Sequence, residues 1–331
     1  MKVSLRNFAP SASRTSSMRS GLGWACGILL LAGVIFLPTN ARAQAATFVV
    51  GTAGCYSGSY SGLYSTIQAA VNAAGSNPDT IVVCDGTYRE QVVVSNASNL
   101  TIEAETPFGA TVEPPPGTPT TSIAGSIIHV MNSTAVTITG FTVSGGNNFT
   151  DECNPGDQRI AGIRYDDSTG TISGNKVVDI KHTDAGFYGC QEGIGIWIAS
   201  DSAGPYAVQI TDNTITNYQK GGVVVNMPGS SATIAGNTIQ GFGQTYSIAQ
   251  NGIQFGFGAS GEARNNSIAN DWYLGATWSA GGVILFDVNA NKVKHSLNKF
   301  SGIQKNLSVV TAQACPEEHG GFYQNYSLCP Y

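Results

Sequence analysis

The chain concentrates its reactive side chains between Asp151 and Asp201. Nine of its 21 acidic residues fall there, with Arg159, Arg164, Lys176, Lys181 and His182 interspersed. Cys153 and Cys190 bracket most of the stretch. Acids and bases at this density suit two reactions. β-Elimination from a uronate needs a base for the C5 proton and a cation to neutralise the adjacent carboxylate, and Ca2+ serves where carboxylates gather. Arg164, Asp166, Asp167 and His182 are the candidate catalytic residues, with Arg164 or Lys181 as base or carboxylate clamp. Asp166, Asp184 and Glu192 are the candidate Ca2+ ligands. Hydrolysis of a glycosidic bond needs two carboxyl groups instead, roughly 6.5–9.5 Å apart in an inverting site.

Each of these residues also has a plain structural reading. Asp166-Asp-Ser-Thr-Gly170 is an ordinary turn sequence, because Asp and Ser bond back to the chain there. His182 is equally a loop or core histidine. Arg164 alternates with Ile163 and Tyr165, so it should point outward from a strand, where a solvated arginine is unremarkable. Trp197, Tyr206, Tyr218, Trp272, Tyr273 and Trp278 add aromatic faces of the kind that stack on sugar rings, or that pack between layers of a core. Asp271 to Trp278 reads as a loop. Trp197, Trp272, Tyr273 and Trp278 are therefore the candidate substrate-binding residues.

The elements that must position these groups show themselves as a repeat. The motif apolar-x-x-Asn-x-apolar occurs at Ile172–Val177, Ile210–Ile215 and Ile234–Ile239, and more weakly at Ala263–Ile268 and Val288–Val293. Ile138–Val143 is an earlier copy with Phe141 in the Asn position. A second motif, Gly-apolar-x-apolar, starts at Gly162, Gly193, Gly222, Gly252 and Gly282, spaced 31, 29, 30 and 30 residues apart. Two short-strand motifs sharing one period indicate a solenoid. The alternation and the Gly, Asn, Asp and Ser between segments are strand-and-turn grammar. The expected fold is an all-β right-handed parallel β-helix. Its coils stack ~4.8 Å apart, so one position per coil forms a column. Asn175, Asn213, Asn237, Asn266 and Asn291 are expected at corners, where Asn tolerates left-handed backbone and its amide can bond up and down the column. Carboxylates two coils apart in one column would meet the inverting separation.

The ends of such a stack need covers. Ser65-Thr-Ile-Gln68 reads as a capping box opening a helix with Ile67, Ala70, Val71 and Ala74 on one face. At the other end, Cys315 to Cys329 reads as a disulfide-closed loop cap. Lys2, Arg6, Arg14 and Arg19 precede the apolar run Leu22–Leu37, and Ala41-Arg-Ala43 follows it. That is an export signal over residues 1–43, too short for the ~20 residues of a membrane span. Residues 44–331 are then one domain, secreted or held in the periplasm or at the cell surface, without membrane insertion after cleavage. Six cysteines remain, and an even count in an exported chain reads as disulfides. Fifteen pairings are open; the sequence-local set is Cys55–Cys84, Cys153–Cys190 and Cys315–Cys329. Removing the signal takes five of the 16 basic residues and leaves 11 against 21 acidic, a formal charge of −10. Nucleic acid and anionic membranes are disfavoured partners on that balance. A polysaccharide or other glycan is not, because a local basic site can sit on an acidic body.

Thr66 to Ala74, followed by Asp79-Thr-Ile-Val-Val-Cys-Asp-Gly-Thr-Tyr88-Arg-Glu-Gln-Val-Val-Val94, resembles the opening of pectin-lyase-like right-handed parallel β-helix proteins. With the Asn repeats, the resemblance covers nearly the whole chain after the signal. It implies the fold and a carbohydrate partner. It transfers no catalytic residue, since the signature strands of polygalacturonases, pectin methylesterases, pectate lyases and mannuronan epimerases are missing; Asp166-Asp167 is the one fragment with a counterpart. Two readings therefore stand: a lyase-like or hydrolase-like enzyme on a uronate polysaccharide, or a non-catalytic β-helix that binds glycans or serves at the cell surface.

Overall fold

Short strands of β-branched residues alternate an inward and an outward side chain, and when the connections between them are short turns and not crossover helices, winding around a common axis brings them into parallel pairing. The computed structural model describes residues 45–75, 77–118, 125–150, 153, 160–202, 204–276 and 278–310. Three sheets run through these residues, with ten, eight and eight strands, and every pairing is parallel. From Thr80–Val83 onward, successive strands go to the first, second and third sheet in strict rotation, giving eight coils that end with Lys305–Val310. The chain is a right-handed parallel β-helix, the hand that a twisted strand and its crossover prefer. The expected helix and signal divide unevenly against the described residues. The helix is present at Ile67–Ala73; the signal segment 1–43 and the Cys315–Cys329 cap lie outside them.

Inward side chains form columns down the axis. Ile102, Ile138, Ile172, Ile210 and Ile234 stack in the first sheet, and Ile163, Ile196, Val223 and Ile253 in the third, all buried. Each such side chain contributes roughly 1.5–3 kcal/mol relative to exposure.

The corner between the first and second sheets is two residues long in six consecutive coils. Asn175, Asn213, Asn237 and Asn266 occupy it, buried. Each Nδ2 donates to the Oδ1 of the next Asn, at 3.1, 3.0, 3.0 and 2.9 Å, the last to Asn298. Each also donates to a carbonyl one coil back, from Ile138 to Ile234. Two expectations are corrected here. The left-handed residue is the one before the ladder Asn: Gly174, Asp212, Gly236, Asn265 and Leu297 have φ between 56° and 71°. The final rung is Asn298, because Asn291 sits exposed in the turn Ala290–Lys292. The repeat was hidden because His295 fills the apolar position that pairs with Ala263.

The glycine column is also corrected at one coil. Gly162 aligns with Gly195, and Gly193 lies before the strand. A Cβ at Gly195 would sit 2.6 Å from the Gly222 carbonyl oxygen and 2.5 Å from Ile215, so close approach and not turn conformation explains the residue. At the N-terminal end the cap is Thr66, whose Oγ1 accepts from Ala69 N–H at 3.1 Å. Gln68 does not fold back to close a capping box. Its amide bonds to both backbone groups of Val93, at 2.7 and 3.0 Å, and so completes the open edge of the third sheet. Glu90 takes the Gln68 role, accepting from Ile67 and Gln68 N–H.

Two of the expected disulfides are formed, Cys55–Cys84 and Cys153–Cys190, with Cα separations of 6.0 and 5.3 Å. Among the described residues no helix is long and apolar enough to cross a membrane.

Candidate functional site

Strand Ala161–Asp166 belongs to the third sheet. Ile163 and Tyr165 point inward and are fully buried, which turns Arg164 and Asp166 outward. Register then stacks His129 on one side of Arg164 and Trp197 on the other. Asp166 lies between Met131 and Ala199 in the adjacent column. The result is a compact cluster from three coils. His129 Nε2 is 2.7 Å from Asp166 Oδ2, and Arg164 Nε reaches the same oxygen at 2.7 Å. The Arg164 approach is an ion contact by distance; its Nε–H has no aligned hydrogen bond. The guanidinium carbon lies 4.2 Å from the centre of the Trp197 ring, a cation–π arrangement.

Burial by itself would raise the Asp166 carboxyl. The His129 hydrogen bond and the Arg164 charge outweigh it and hold the group below the ordinary carboxylate range. Asp166 is therefore an anion at neutral pH. Among the described residues, three buried polar atoms of this cluster lack a hydrogen-bond partner: the donors Arg164 Nε and Trp197 Nε1 and the acceptor Asp166 Oδ1. Ala161, Ile194, Ala199 and Val224 form an apolar surround with Trp197.

The other expected site residues are placed elsewhere. Asp167 turns the next corner at φ 46°, and its Oδ1 accepts from Asp201 N–H and from Ser202. His182 and Glu192 form a buried pair at 3.4 Å in the long corner between the second and third sheets. The His182 Nδ1 is 3.1 Å from Thr150 O, and its backbone N–H donates to Gln219 Oε1. Glu192 lies two residues after Cys190, and its backbone N–H donates to Cys190 O at 2.8 Å. Asp184 is exposed and caps the turn Ala185–Phe187. Asp166, Asp184 and Glu192 thus occupy three different settings, and among the described residues no three His, Cys, Asp or Glu side chains converge as metal ligands.

Among the aromatics, Trp197 is buried under Arg164 and does not offer a bare ring. Trp272 and Tyr273 end the strand Ser267–Tyr273, so the expected loop begins only at Leu274; pairing with Gln244 and Thr245 extends the sheet. Trp278 lies in that loop, half-buried. Tyr206 bonds to Ser202, and Tyr218 is a core residue donating to Asp271.

His129 was missed by sequence reasoning. Its strand, Ser126–Met131, carries Ile127 where later coils have glycine, so the repeat motif did not reach it. The available signal was the alternation Ile128-His129-Val130, one polar residue outward in an apolar strand.

No protein-family model matches the sequence. No curated protein matches it either. Among solved structures, the chain is similar to YbhC of Escherichia coli, at 12% identity over 80% of this chain and 87% of that one, with a TM-score of 0.45. It is similar to the pectin methylesterase of Aspergillus niger, at 14% identity over 84% and 94%, TM-score 0.43. It is also similar to an alginate lyase from a Paenibacillus species, at 14% identity over 74% and 96%, TM-score 0.37. The chain is a parallel β-helix by its own topology; these likenesses assign none of its residues a role.

Proposed function

We propose that this protein binds carbohydrate on the outer face of its third sheet, at Arg164, Asp166 and Trp197. The observation that carries the reading is the unpaired acceptor Asp166 Oδ1 beside the unpaired donor Trp197 Nε1. They lie on neighbouring coils: Trp197 pairs with Arg164, and Asp166 pairs with Ala199, two residues further along the strand. A buried polar atom left alone costs about 1–3 kcal/mol, and hydroxyl groups, which both donate and accept, can partner an acceptor and a donor alike. Polyols with closely spaced hydroxyls are therefore the complementary chemistry. The Arg164 guanidinium has further N–H donors for a uronate carboxylate, so an acidic glycan fits better than a neutral one.

Binding is favoured over catalysis. An elimination base works best with a pKa near the working pH, and Asp166 is held in the opposite direction. Hydrolysis would need a second carboxyl, and the neighbouring Asp167 is committed to Asp201 and Ser202. One observation keeps elimination as a second reading: His129 and Arg164 converge on a single carboxylate oxygen, which puts a titratable ring and a cation in one cluster. Export is part of the proposal, and the two disulfides suit an oxidising compartment.

Calorimetric titration of the protein with hexauronates of pectate and alginate tests the site. Saturable binding is expected, weakened about tenfold or more by Arg164→Ala and by Asp166→Asn, consistent with a lost charge-assisted hydrogen bond. The same mixtures are followed by ultraviolet absorbance for unsaturated uronate, with Ca2+ and then with chelator. A flat trace is expected. A rise abolished in His129→Ala would replace binding by elimination, and absence of binding to every glycan would sink the reading.

A further inference from the structure

The second sheet carries an irregularity that the charged cluster does not use. Strand Thr238–Thr245 pairs with Ser267–Tyr273 in register up to Gln240 and resumes at Gly243, with a bulge between. A bulge re-aims a side chain. Here it places Phe242 at the rim of a concavity of about 390 Å³, lined also by Thr216, Asn217, Gln240, Gly241 and Asn270. The bulge is pinned from inside, because Gln250 Oε1 accepts from Phe242 N–H at 3.2 Å while its Nε2 donates to Tyr218 O at 2.6 Å.

The lining has two chemical characters. Phe242 packs against Tyr188 with ring centroids 5.7 Å apart, tilted by 37°, and the Lys181 ammonium covers Tyr188 at 5.3 Å. Phe242 is thus the aromatic part of the lining, backed by Tyr188. Around it stand amide and hydroxyl groups from three successive coils. Asn217 donates from Nδ2 to Asp179, and its φ of 58° and the 62° of Asn270 hold both at left-handed corner positions. The side chains of Thr216, Gln240 and Asn270 make no hydrogen bond among the described residues. Among the described residues, no carboxylate or cation lines the concavity itself.

We infer that this concavity is a second saccharide subsite, for an uncharged sugar. Amides present a donor and an acceptor together and so suit vicinal hydroxyl pairs. An aromatic face covers the apolar C–H side of a pyranose ring. Residues in register on successive coils repeat at ~4.8 Å, close to the reach of one sugar ring. The site deepens the carbohydrate reading but rests on different residues from the Arg164 cluster and fits a ligand without charge. A mixed glycan with neutral and uronate residues is the ligand class that uses both.

The test is a pair of titrations on the full exported chain, with cellohexaose, xylohexaose and mannohexaose as neutral probes and hexagalacturonate as the charged one. At least one neutral probe is expected to bind, about fivefold to tenfold more weakly in Phe242→Ala, the scale of one lost aromatic contact. Gln240→Ala, at an exposed position that leaves the fold alone, is expected to weaken it as well. Arg164→Ala is expected to leave neutral binding unchanged and to remove hexagalacturonate binding. The inference is overturned if no neutral probe binds, or if neutral binding survives both Phe242→Ala and Gln240→Ala. Neutral binding that follows those variants while hexagalacturonate fails to bind would sustain this subsite and discard the Arg164 reading instead.

Discussion

The two corners that flank the second sheet follow opposite plans. Between the first and second sheets the chain turns in two residues, coil after coil, and a buried Asn pairs with the Asn above and below. Between the second and third sheets the turns run to 15, four, five and seven residues in successive coils from Asp179 onward. No ladder is available to turns of unequal length. They are held individually, by Gln219 bonding to Phe187 O and Cys190 O, by Gln250 to Tyr218 O, by the His182–Glu192 pair and by Cys153–Cys190. The uniform corner pairs its buried Asn amides within their own column. On the sheet beyond the variable corner, Asp166 Oδ1 and Trp197 Nε1 have no hydrogen-bond partner among the described residues. A solenoid separates these duties because one face can vary without disturbing the repeat that carries stability.

The sharpest way to break this contrast is Asn213→Ala. It removes the acceptor for Asn175 N–H and Nδ2 and the donor to Ile172 O, all buried. A loss of about 3 kcal/mol is expected from the groups left unpaired, read as a shift of the urea midpoint. A loss under about 0.5 kcal/mol would show that the uniform corner does not carry stability. Replacing Cys153 and Cys190, 37 residues apart, by Ser together should cost up to about 4 kcal/mol on the chain-entropy model. Hydrogen exchange should locate the loosening in residues 179–193 and spare the ladder amides.

A third expectation concerns pH. Asp271 is buried at the second sheet's far end, where Tyr218 donates to its Oδ1 at 2.7 Å, and burial pushes its carboxyl up to about 8 despite that bond. Its folded value lies above the unfolded one. The unfolded chain therefore ionises first, and stability is greatest in acid and falls as pH rises towards about 8. Chemical denaturation from pH 4 upward should show this decline, and Asp271→Asn should flatten it. Asp166 has the opposite sign: its lowered value gives stability that is present above the ordinary carboxylate range and lost as pH falls below it. The smallest expected effect is Asp166→Asn on stability at neutral pH, about 1 kcal/mol, against its much larger effect on glycan binding. A reversal of that order would make the cluster structural.

How much of this was legible follows from where the signals lie. The period, the Asn motif and the two cysteine pairs Cys55–Cys84 and Cys153–Cys190 were visible because each depends on residue type at a fixed spacing. The final rung lies at Asn298, seven residues from Asn291, and the aligned glycine at Gly195, two from Gly193, because His295 and Ile194 disturb the local pattern while the register of the neighbouring coils prevails. Asp184 and Glu192 lie on the long corner between Asp179 and Ile194, away from the outward column of the third sheet that holds Asp166, because closeness along the chain is not closeness in the fold.

The sequence by itself determined that short strands must wind into a stacked coil, since its alternation buries one side of every strand and its turn residues recur once per coil. It also determined that Arg164 faces outward. Only the tertiary structure decided what Arg164 faces. His129, 35 residues earlier, and Trp197, 33 residues later, become its neighbours through register alone. A one-residue slip in a strand exchanges its inner and outer faces, so a contact between coils is fixed by hydrogen-bonded pairing and the packed core, which no single stretch of sequence contains.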